Sequence, residues 1–259
     1  MSLSDADAYD RFMGRYSGPL AVPFADFAGL PVDGRLLDVG CGPGALTAEL
    51  AGRVGPGRVT AADPSEEYVA ALRARHPGVQ VIRAPAEDLP FEGGSFDGTL
   101  AQLVVNVMDD PVAGLREMAR VTRSGGLVAA CVWDFTEGGP LGPFWDAARA
   151  LDPEVETGSV CAGSRAGHLA DLFREAGIGD IVDGAVAVEV EHATFEEWWE
   201  PFTLGGVAPS GAYVAGLEPD RRASLRELCR ERLPEPPFVV SAKAWAARGI
   251  SVDRGSEGV

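Results

Sequence analysis

A short apolar run that leads into a glycine-rich turn is the feature that most constrains this chain. The segment is Leu36-Leu37-Asp38-Val39-Gly40-Cys41-Gly42-Pro43-Gly44, and apolar Leu46 and Leu50 follow it at helical spacing. Glycines allow the backbone to turn tightly and to approach a ligand where a Cβ would intrude. The segment therefore predicts a strand, a ligand-contacting turn and a helix, which together open a parallel α/β sheet.

Alternating strand and helix patterns continue this unit along the chain. Strands are predicted at 35–39, 58–63, 79–84, 96–104, 126–134, around 186–190 and at 238–247. Helices are predicted from Asp110-Pro111 to the Gly125-Gly126 pair and over 165–176, and helical patterns between 195 and 233 separate the last two strands. The expected fold class is α/β, a Rossmann-like doubly wound sheet of seven strands with a helical lid inserted between the last two.

Composition narrows the classes of partner. The 259 residues carry 22 Lys and Arg against 39 Asp and Glu, and the net charge of −17 disfavours nucleic acid. No apolar run approaches the roughly 20 residues of a membrane span, and the N-terminus shows no secretory signal. The four cysteines are far apart, and no cluster of histidine, cysteine and carboxylate has ligand spacing. We therefore expect a cytoplasmic protein with no nucleic-acid partner, membrane partner or metal.

Two acids flank the glycine turn and indicate its ligand. Asp63 ends the second strand, 19 residues after Gly44, where a carboxylate can accept hydrogen bonds from ribose hydroxyls. Asp38 would crowd a pyrophosphate but suits a cofactor that carries an ammonium group. The spacing Gly40-x-Gly42-x-x-Ala45 also satisfies the relaxed dinucleotide pattern, so the glycines alone leave a nicotinamide cofactor open. S-adenosylmethionine fits the acids better because it has an ammonium group, a sulfonium and no phosphate.

Four segments of the chain resemble the class I S-adenosylmethionine-dependent methyltransferases, in the subfamily of the quinone and sterol methyltransferases. They are LLDVGCGPG (36–44), VTAADPS (59–65), APAEDLPFEGGSFD (84–97) and LVVNVMDDP (103–111), and they stand in the family's order. The resemblance implies that the last of the seven strands is antiparallel. It also implies methyl transfer by in-line displacement, and the apolar, aromatic lid and the lack of a basic run favour a small-molecule acceptor.

The resemblance assigns cofactor contacts to individual residues. Asp38 is expected at the methionine end, Asp63 at the ribose, and the turn residues Gly40, Cys41, Gly42 and Gly44 around both. The resemblance places Pro64, Ser65, Ala86 and Glu87 beside the adenine, Asp88 at its exocyclic amine, and Gln102 and Leu103 at the methionyl amine. The N-terminal segment resembles a flap over the cofactor, with Arg15 on the methionine carboxylate and Tyr9 on the sulfonium. A helix that only covers the sheet is the alternative for this segment.

The sequence says less about the residues that would bind the methyl acceptor and remove its proton. Where many relatives carry a His-His pair, this chain has Val105 and Asn106, so any general base must come from elsewhere. His192, which ends a strand expected to face the crevice, is the candidate, because His76 is expected in a surface loop at the far end of the sheet and His168 at an exposed or capping position. Candidate pocket residues are Asn106, Trp133, Trp145 and Trp198, with core packing as the alternative for the aromatic residues.

These expectations divide the chain into five segments and leave other functions open. The segments are the flap (1–29), the cofactor-binding core (30–194), the lid (195–235), the last core strand (236–250) and a tail expected to be disordered (251–259). An enzyme that uses S-adenosylmethionine for other chemistry and a non-catalytic protein that binds it remain alternatives. A nicotinamide-dependent dehydrogenase is disfavoured by Asp38 and by the Glu87-Asp88 pair. The acceptor and the oligomeric state are not predicted.

Overall fold

The computed structural model describes residues 9–136, 139–155, 161–203 and 209–252. Its centre is a seven-stranded sheet with the strand order β3-β2-β1-β4-β5-β7-β6. The strands are β1 (Leu36–Val39), β2 (Val59–Asp63), β3 (Gln80–Arg83), β4 (Phe96–Gln102), β5 (Thr122–Trp133), β6 (Gly179–His192) and β7 (Phe238–Ile250). The first five strands are parallel and β7 is antiparallel to both of its neighbours, which confirms the predicted fold class.

Nine α-helices of the described chain surround the sheet. They are α1 (Arg15–Ala28), α2 (Ala45–Val54), α3 (Glu66–Arg75), α4 (Pro111–Val121), α5 (Gly142–Leu151), α6 (His168–Glu175), α7 (Phe195–Thr203), α8 (Pro209–Gly216) and α9 (Pro219–Arg232). Helices α7, α8 and α9 lie between β6 and β7, where the lid was predicted. None of the helices in the described part of the chain is long and apolar enough to cross a membrane.

Two apolar layers hold the helices against the sheet. One layer joins α1, α2, α3, α5 and the three lid helices to one face, and its centre includes Leu20, Phe24 and Leu100, each fully buried. The other layer joins α4 and α6 to the opposite face through Leu115 and Phe173. Strands β1 and β2 are buried along their whole length, as expected for parallel strands covered on both faces.

Helix starts follow the local sequence closely. The Ser65 hydroxyl accepts a hydrogen bond from the Tyr68 amide at 3.3 Å, and Glu66 and Glu67 fill the first turn of α3. Asp110 accepts one from the Ala113 amide at 2.9 Å at the start of α4. A short polar side chain before each helix therefore satisfies a backbone donor that the helix itself leaves unpaired.

The structure corrects several predicted boundaries. Helix α4 ends at Val121 and β5 begins at Thr122, four residues before the predicted start, because Thr122 already pairs with Phe96 of β4. Strand β4 ends at Gln102 instead of 104, and α6 begins at His168 instead of 165. Helix α5 was not predicted at all. Of the tail, residues 253–259 lie outside the described residues.

Candidate active site

The glycine turn connects the carboxyl end of β1 to α2, and two of its glycines have no space for a side chain. At Gly40, where φ is +68°, a Cβ would lie 2.3 Å from Val104 Cγ2. At Gly44, where φ is +107°, it would lie 2.3 Å from Leu72 Cδ1. Gly42 differs, because a Cβ there would meet nothing within 4 Å. The turn is therefore packed against the protein at both ends and open in the middle, where a ligand can lie against the backbone.

Asp63, at the end of β2, holds the open part of this turn. Its Oδ2 accepts a hydrogen bond from the Gly42 amide at 2.9 Å, and its Oδ1 accepts one from the Ser65 amide at 2.8 Å. Burial raises the pKa of Asp63, while the two amide donors lower it. Each carboxylate oxygen has a second acceptor position, so the side chain can bind a hydroxyl while it still supports the turn.

Asp38 lies in β1, almost completely buried directly before the turn. Its Oδ2 accepts a hydrogen bond from the Thr47 hydroxyl at 2.6 Å, whereas its Oδ1 is buried and has no hydrogen-bond partner among the described residues. Burial, together with the negative charge of Asp63, raises the pKa of Asp38 to about 7. An unpaired buried carboxylate oxygen is costly, so this atom is suited to a cationic donor that the described residues do not supply.

The N-terminal segment lies over this edge of the sheet. The side-chain amide nitrogen of Gln102 (Nε2), at the end of β4, donates a hydrogen bond to the Ser17 carbonyl of α1 at 2.9 Å. The Tyr9 ring packs edge to face on Tyr68 with centroids 6.0 Å apart. Burial raises the pKa of Tyr9 to about 12, and the Asp63 charge adds to this rise. The N-terminal segment therefore contacts both the end of β4 and helix α3.

Leu103 is a strained residue that the sequence did not reveal. Its φ is +64°, a left-handed conformation that leucine rarely adopts, and its amide donates to the Cys131 carbonyl at 2.8 Å. Such strain costs on the order of 1–3 kcal/mol and is concentrated at functional sites. Leu103 directly follows Gln102, whose side-chain oxygen is buried with no partner among the described residues. The end of β4 therefore presents unusual backbone geometry beside an unpaired acceptor.

The residues predicted to contact adenine have different environments. Pro64 is exposed and Ser65 caps α3, while Ala86 is buried. Glu87 accepts a hydrogen bond from the Asp110 amide at 3.3 Å. Asp88 is exposed; the pKa of Arg120 on α4 is raised chiefly by its hydrogen bond to Glu117, and the charge of Asp88 adds to this rise.

Arg15 and His192 form one network at the end of β6. Arg15 Nη1 lies 2.9 Å from His192 Nδ1, and Arg15 Nη2 pairs with Glu197 Oε1 at 3.1 Å. The other ring nitrogen, Nε2, lies 3.0 Å from the Tyr16 hydroxyl, and the His192 side chain is fully buried. Burial, with a further contribution from the Arg15 charge, lowers the pKa of His192 to about 4. Both ring nitrogens of the candidate base are thus occupied, and Arg15 pairs with Glu197 of α7.

The other two histidines are also away from a base position. His168 is the half-buried first residue of α6, and its Nδ1 accepts a hydrogen bond from the Gly163 amide at 3.3 Å in the preceding loop. His76 was expected at the opposite end of the sheet, but its Cδ2 lies only 3.7 Å from where a Gly44 Cβ would be. His76 directly follows α3, and its half-buried side chain lies beside Gly44 of the glycine turn.

Aromatic side chains fill the region between the flap, α5 and the lid. Trp133, Trp145 and Trp198 are all buried in the same apolar layer. The rings of Phe144 and Phe202 stack with centroids 4.4 Å apart and an interplanar angle of 4°. Asn106 is half-buried in a short helical turn, Val105–Val107.

The chain matches the family described as "Methyltransferase domain" over residues 37–130. It is 30% identical over 234 residues to the uncharacterized protein Rv1403c of Mycobacterium tuberculosis, a match that covers 83% of this chain and 81% of that protein. It is also 36% identical over 114 residues to 2-methyl-6-phytyl-1,4-hydroquinone methyltransferase 2 of rice. This match covers 43% of the present chain and 31% of the rice enzyme. The chain thus spans about a third of the rice enzyme's length.

The fold also matches solved structures. A SAM-dependent methyltransferase of Thermotoga maritima superposes with a TM-score of 0.56 at 20% identity, covering 94% of this chain and 98% of the other. The glycine turn, Asp38 and Asp63 all lie within the segment that matches the methyltransferase domain.

Proposed function

This chain belongs to the class I S-adenosylmethionine-dependent methyltransferases, and from that premise we propose that it transfers the methyl group to a small organic acceptor. The single observation that carries the cofactor assignment is the unpaired Oδ1 of Asp38 beside the open side of the turn at Gly42. When bound, S-adenosylmethionine supplies an electrophilic methyl group on a sulfonium.

The residues around the turn fit this cofactor better than a dinucleotide. Asp38 Oδ1 is an acceptor for the methionyl ammonium, and Asp63 has acceptor positions for ribose hydroxyls. Asp38 and Asp63 already interact electrostatically, since the charge of Asp63 raises the pKa of Asp38. A diphosphate would add further negative charge beside them, which would cost free energy at a buried site.

The chemistry that remains for this chain is positioning and the exclusion of water. Charge is lost in the transition state of methyl transfer from a sulfonium, so a dry, preorganised pocket favours it. His192, the candidate base, is not placed as a free base, because both of its ring nitrogens are held by Arg15 and Tyr16. We therefore expect the acceptor to be a group that is already nucleophilic, such as a phenolate, a carboxylate or an amine.

Two features support a small acceptor over a macromolecule. The region beside the flap is walled by buried aromatic side chains, which suit a compact apolar molecule. The net charge of −17 gives no electrostatic attraction for a nucleic acid. The rice relative is named for a hydroquinone acceptor, and that name places hydroquinones first in the panel of compounds to test.

Cofactor binding is tested by calorimetry with S-adenosylhomocysteine and with NADH. We expect S-adenosylhomocysteine to bind and NADH not to bind, and the Asp38→Asn variant to bind S-adenosylhomocysteine more weakly. Asp26→Asn is the control, because it removes the same charge from an exposed ion pair with Arg53. Binding of NADH with no binding of S-adenosylhomocysteine would contradict the assignment.

Turnover is tested with methyl-labelled cofactor and a panel of hydroquinones, phenols, aromatic carboxylates and amines. A methylated product, formed in equal amount to S-adenosylhomocysteine, supports the proposal. Cofactor binding with a product that lacks the added methyl group would indicate other chemistry on the same fold, since a fold does not fix a reaction. Binding without turnover of any compound would favour a non-catalytic protein.

A further inference from the structure

Two buried oxygen atoms without partners lie on the same face of the sheet, at the carboxyl ends of β1 and β4. Asp38 is paired with Leu100 across the two strands, so the side chains of both, and that of Gln102 two residues later, lie on one face. Asp38 Oδ1 and Gln102 Oε1 are each buried and have no hydrogen-bond partner among the described residues. Neither residue is more than 9% exposed. Two adjacent strands therefore present acceptors that need a donor.

The orientation of the Gln102 amide is fixed by α1. Its Nε2 donates to the Ser17 carbonyl at 2.9 Å, so Oε1 is the atom that is left for a ligand. At Asp38, the Thr47 hydroxyl already donates to Oδ2 at 2.6 Å. When Asp38 is ionised, both remaining oxygens can only accept hydrogen bonds. A group with several donors and a positive charge, such as an ammonium, satisfies them together.

The residue expected on the cofactor carboxylate, Arg15, is held elsewhere. Its Nη1 lies 2.9 Å from His192 Nδ1, at the end of β6, and its Nη2 pairs with Glu197 Oε1 at 3.1 Å. In the sheet order β6 is three strands away from β4, and neighbouring strands are about 4.8 Å apart, which puts roughly 14 Å between the two strand ends. Arg15 therefore reaches the methionine end only if it leaves both of these partners.

Other cations near this edge of the sheet are also paired with acids. Arg75 pairs with Asp10 at 2.7 Å, and Arg83 pairs with Glu66 at 3.4 Å. Arg11, in the helical turn before α1, is exposed. The stretches outside the described residues, up to residue 252, contain no lysine or arginine. Within the described residues, the edge therefore offers buried acceptors but no cation that is both buried and free of an acid.

We propose that this chain selects its cofactor by the ammonium of the methionine end, which Asp38 Oδ1 and Gln102 Oε1 accept together, and that the carboxylate adds little affinity. The inference rests on the proposed function and makes Gln102 a specificity-determining residue. An ammonium shared by two buried acceptors replaces the hydrogen bonds that it loses to water. A carboxylate gains no cation there, and the buried acids Asp38 and Asp63 repel it. Adenosyl compounds that have the amine but lack the carboxylate are therefore also ligands of this site.

Three thioethers that differ only at the methionine end test the inference. They are S-adenosylhomocysteine, its decarboxylated analogue 5′-(3-aminopropylthio)-5′-deoxyadenosine and its deaminated analogue 5′-(3-carboxypropylthio)-5′-deoxyadenosine, each titrated into the full chain by calorimetry at pH 8. We expect the decarboxylated compound to bind within about threefold of S-adenosylhomocysteine, and the deaminated compound to bind at least about tenfold more weakly. A larger loss on removal of the carboxylate, or a smaller one on removal of the amine, would overturn the inference.

Gln102→Met tests the amide, with Gln80→Met as the control. We expect Gln102→Met to weaken binding of the two compounds that carry the amine by about fivefold and to leave binding of the deaminated compound unchanged. A general loosening of α1, caused by loss of the bond to Ser17, would weaken all three compounds alike and would refute the role of Oε1. Gln80 is exposed on β3, so its replacement should change none of the affinities.

Arg15→Gln and Arg11→Gln test the two arginines of the N-terminal segment as holders of the carboxylate. We expect each variant to keep the ratio between the affinities for S-adenosylhomocysteine and its decarboxylated analogue. A variant that binds S-adenosylhomocysteine more weakly, yet binds the decarboxylated compound as before, would show that its arginine holds the carboxylate and would contradict the inference.

The outcome of these titrations is separable from that of the proposed function. A protein that binds S-adenosylhomocysteine and methylates an acceptor, yet requires the carboxylate for binding, would refute this inference alone. A protein that binds none of the three thioethers would refute the proposed function.

Discussion

The Asp63 carboxylate accepts a hydrogen bond from the Gly42 amide at 2.9 Å, and this bond joins the end of β2 to the turn that follows β1. The other carboxylate oxygen accepts from the Ser65 amide, at the start of α3. One side chain therefore fixes the two strand ends and the open part of the turn at the same time.

Asp63→Asn should disturb this arrangement, because an amide offers one acceptor oxygen to two backbone donors. We expect the free energy of unfolding to fall by about 1–3 kcal/mol and the affinity for S-adenosylhomocysteine to fall by a similar amount. Chemical denaturation and calorimetry measure the two effects. Unchanged values in both would show that Asp63 neither supports the turn nor contacts the cofactor.

Asp38→Asn should separate stability from binding. A carboxyl whose folded pKa is raised to about 7 binds its proton more tightly in the folded protein, so stability is lost as the pH rises toward and through 7. Without the cofactor, we expect the variant to be more stable than the unmodified protein at pH 8 by about 1–3 kcal/mol. Its affinity for S-adenosylhomocysteine should nevertheless be about 10–100-fold weaker.

The pH dependence of binding gives a second measure of Asp38. In the unmodified protein the affinity for S-adenosylhomocysteine should rise between pH 5.5 and 7.5, as the carboxylate that faces the ammonium ionises. In Asp38→Asn this slope should be absent. A variant that retains the full slope would assign the titration to another group.

Gly42→Ala and Gly40→Ala should behave differently although the two glycines are neighbours in the turn. Both acquire left-handed strain of about 1–2 kcal/mol. At Gly42 the new methyl group enters open space, so we expect a modest loss of stability and a loss of cofactor affinity of at least about tenfold. At Gly40 it would meet Val104, so unfolding should be the main effect. The two melting temperatures, compared with the two dissociation constants, check this.

His192→Phe should change how stability depends on pH. The ring stacks on Phe238 with centroids 5.4 Å apart, and phenylalanine can keep that contact. A histidine with a folded pKa near 4 resists protonation, so its contribution is present above the unfolded pKa of about 6.5 and is lost as the pH falls toward 4. We expect the unmodified protein to lose about 3 kcal/mol more than the variant between pH 7.5 and pH 4.

Denaturation curves at several pH values measure this difference, and His76→Gln is the matched control. That histidine is half-buried beside the glycine turn and lies outside the network of Arg15, Tyr16 and His192, so the comparison shows whether the effect belongs to that network. If His192→Phe retains the full acid sensitivity, the buried ring is not its source.

The sequence predicted the sheet and the glycine turn because both rest on local patterns. The apolar strand, the three glycines and the helix caps at Ser65 and Asp110 are readable from neighbouring residues alone. Strand β5 begins earlier than predicted because its first residue, Thr122, pairs with Phe96 across the sheet. The local pattern placed the end of the helix at Gly125-Gly126, but the pairing of Thr122 with Phe96 ends the helix earlier.

The acceptor side was less predictable, since it depends on contacts over long sequence separations. His192 was chosen as a base from its position at a strand end, but its environment is set by Arg15 and Tyr16, more than 170 residues away in the chain. Leu103 gave no local signal of its positive φ, because leucine is not a residue that favours it. The sequence shows that the lid region is rich in aromatic residues, but not which of their rings pack against one another.

The bond from Gln102 to the Ser17 carbonyl has a kinetic consequence. It fastens the flap over the strand ends with an uncharged, buried contact, so added salt will not loosen it. We expect exchange of spent cofactor for fresh to require this bond to break, if the N-terminal segment is the flap that the sequence predicts. Lid-type motions of this kind set the turnover number in many enzymes, so the limiting rate here should follow the opening of the N-terminal helix, whichever acceptor is supplied.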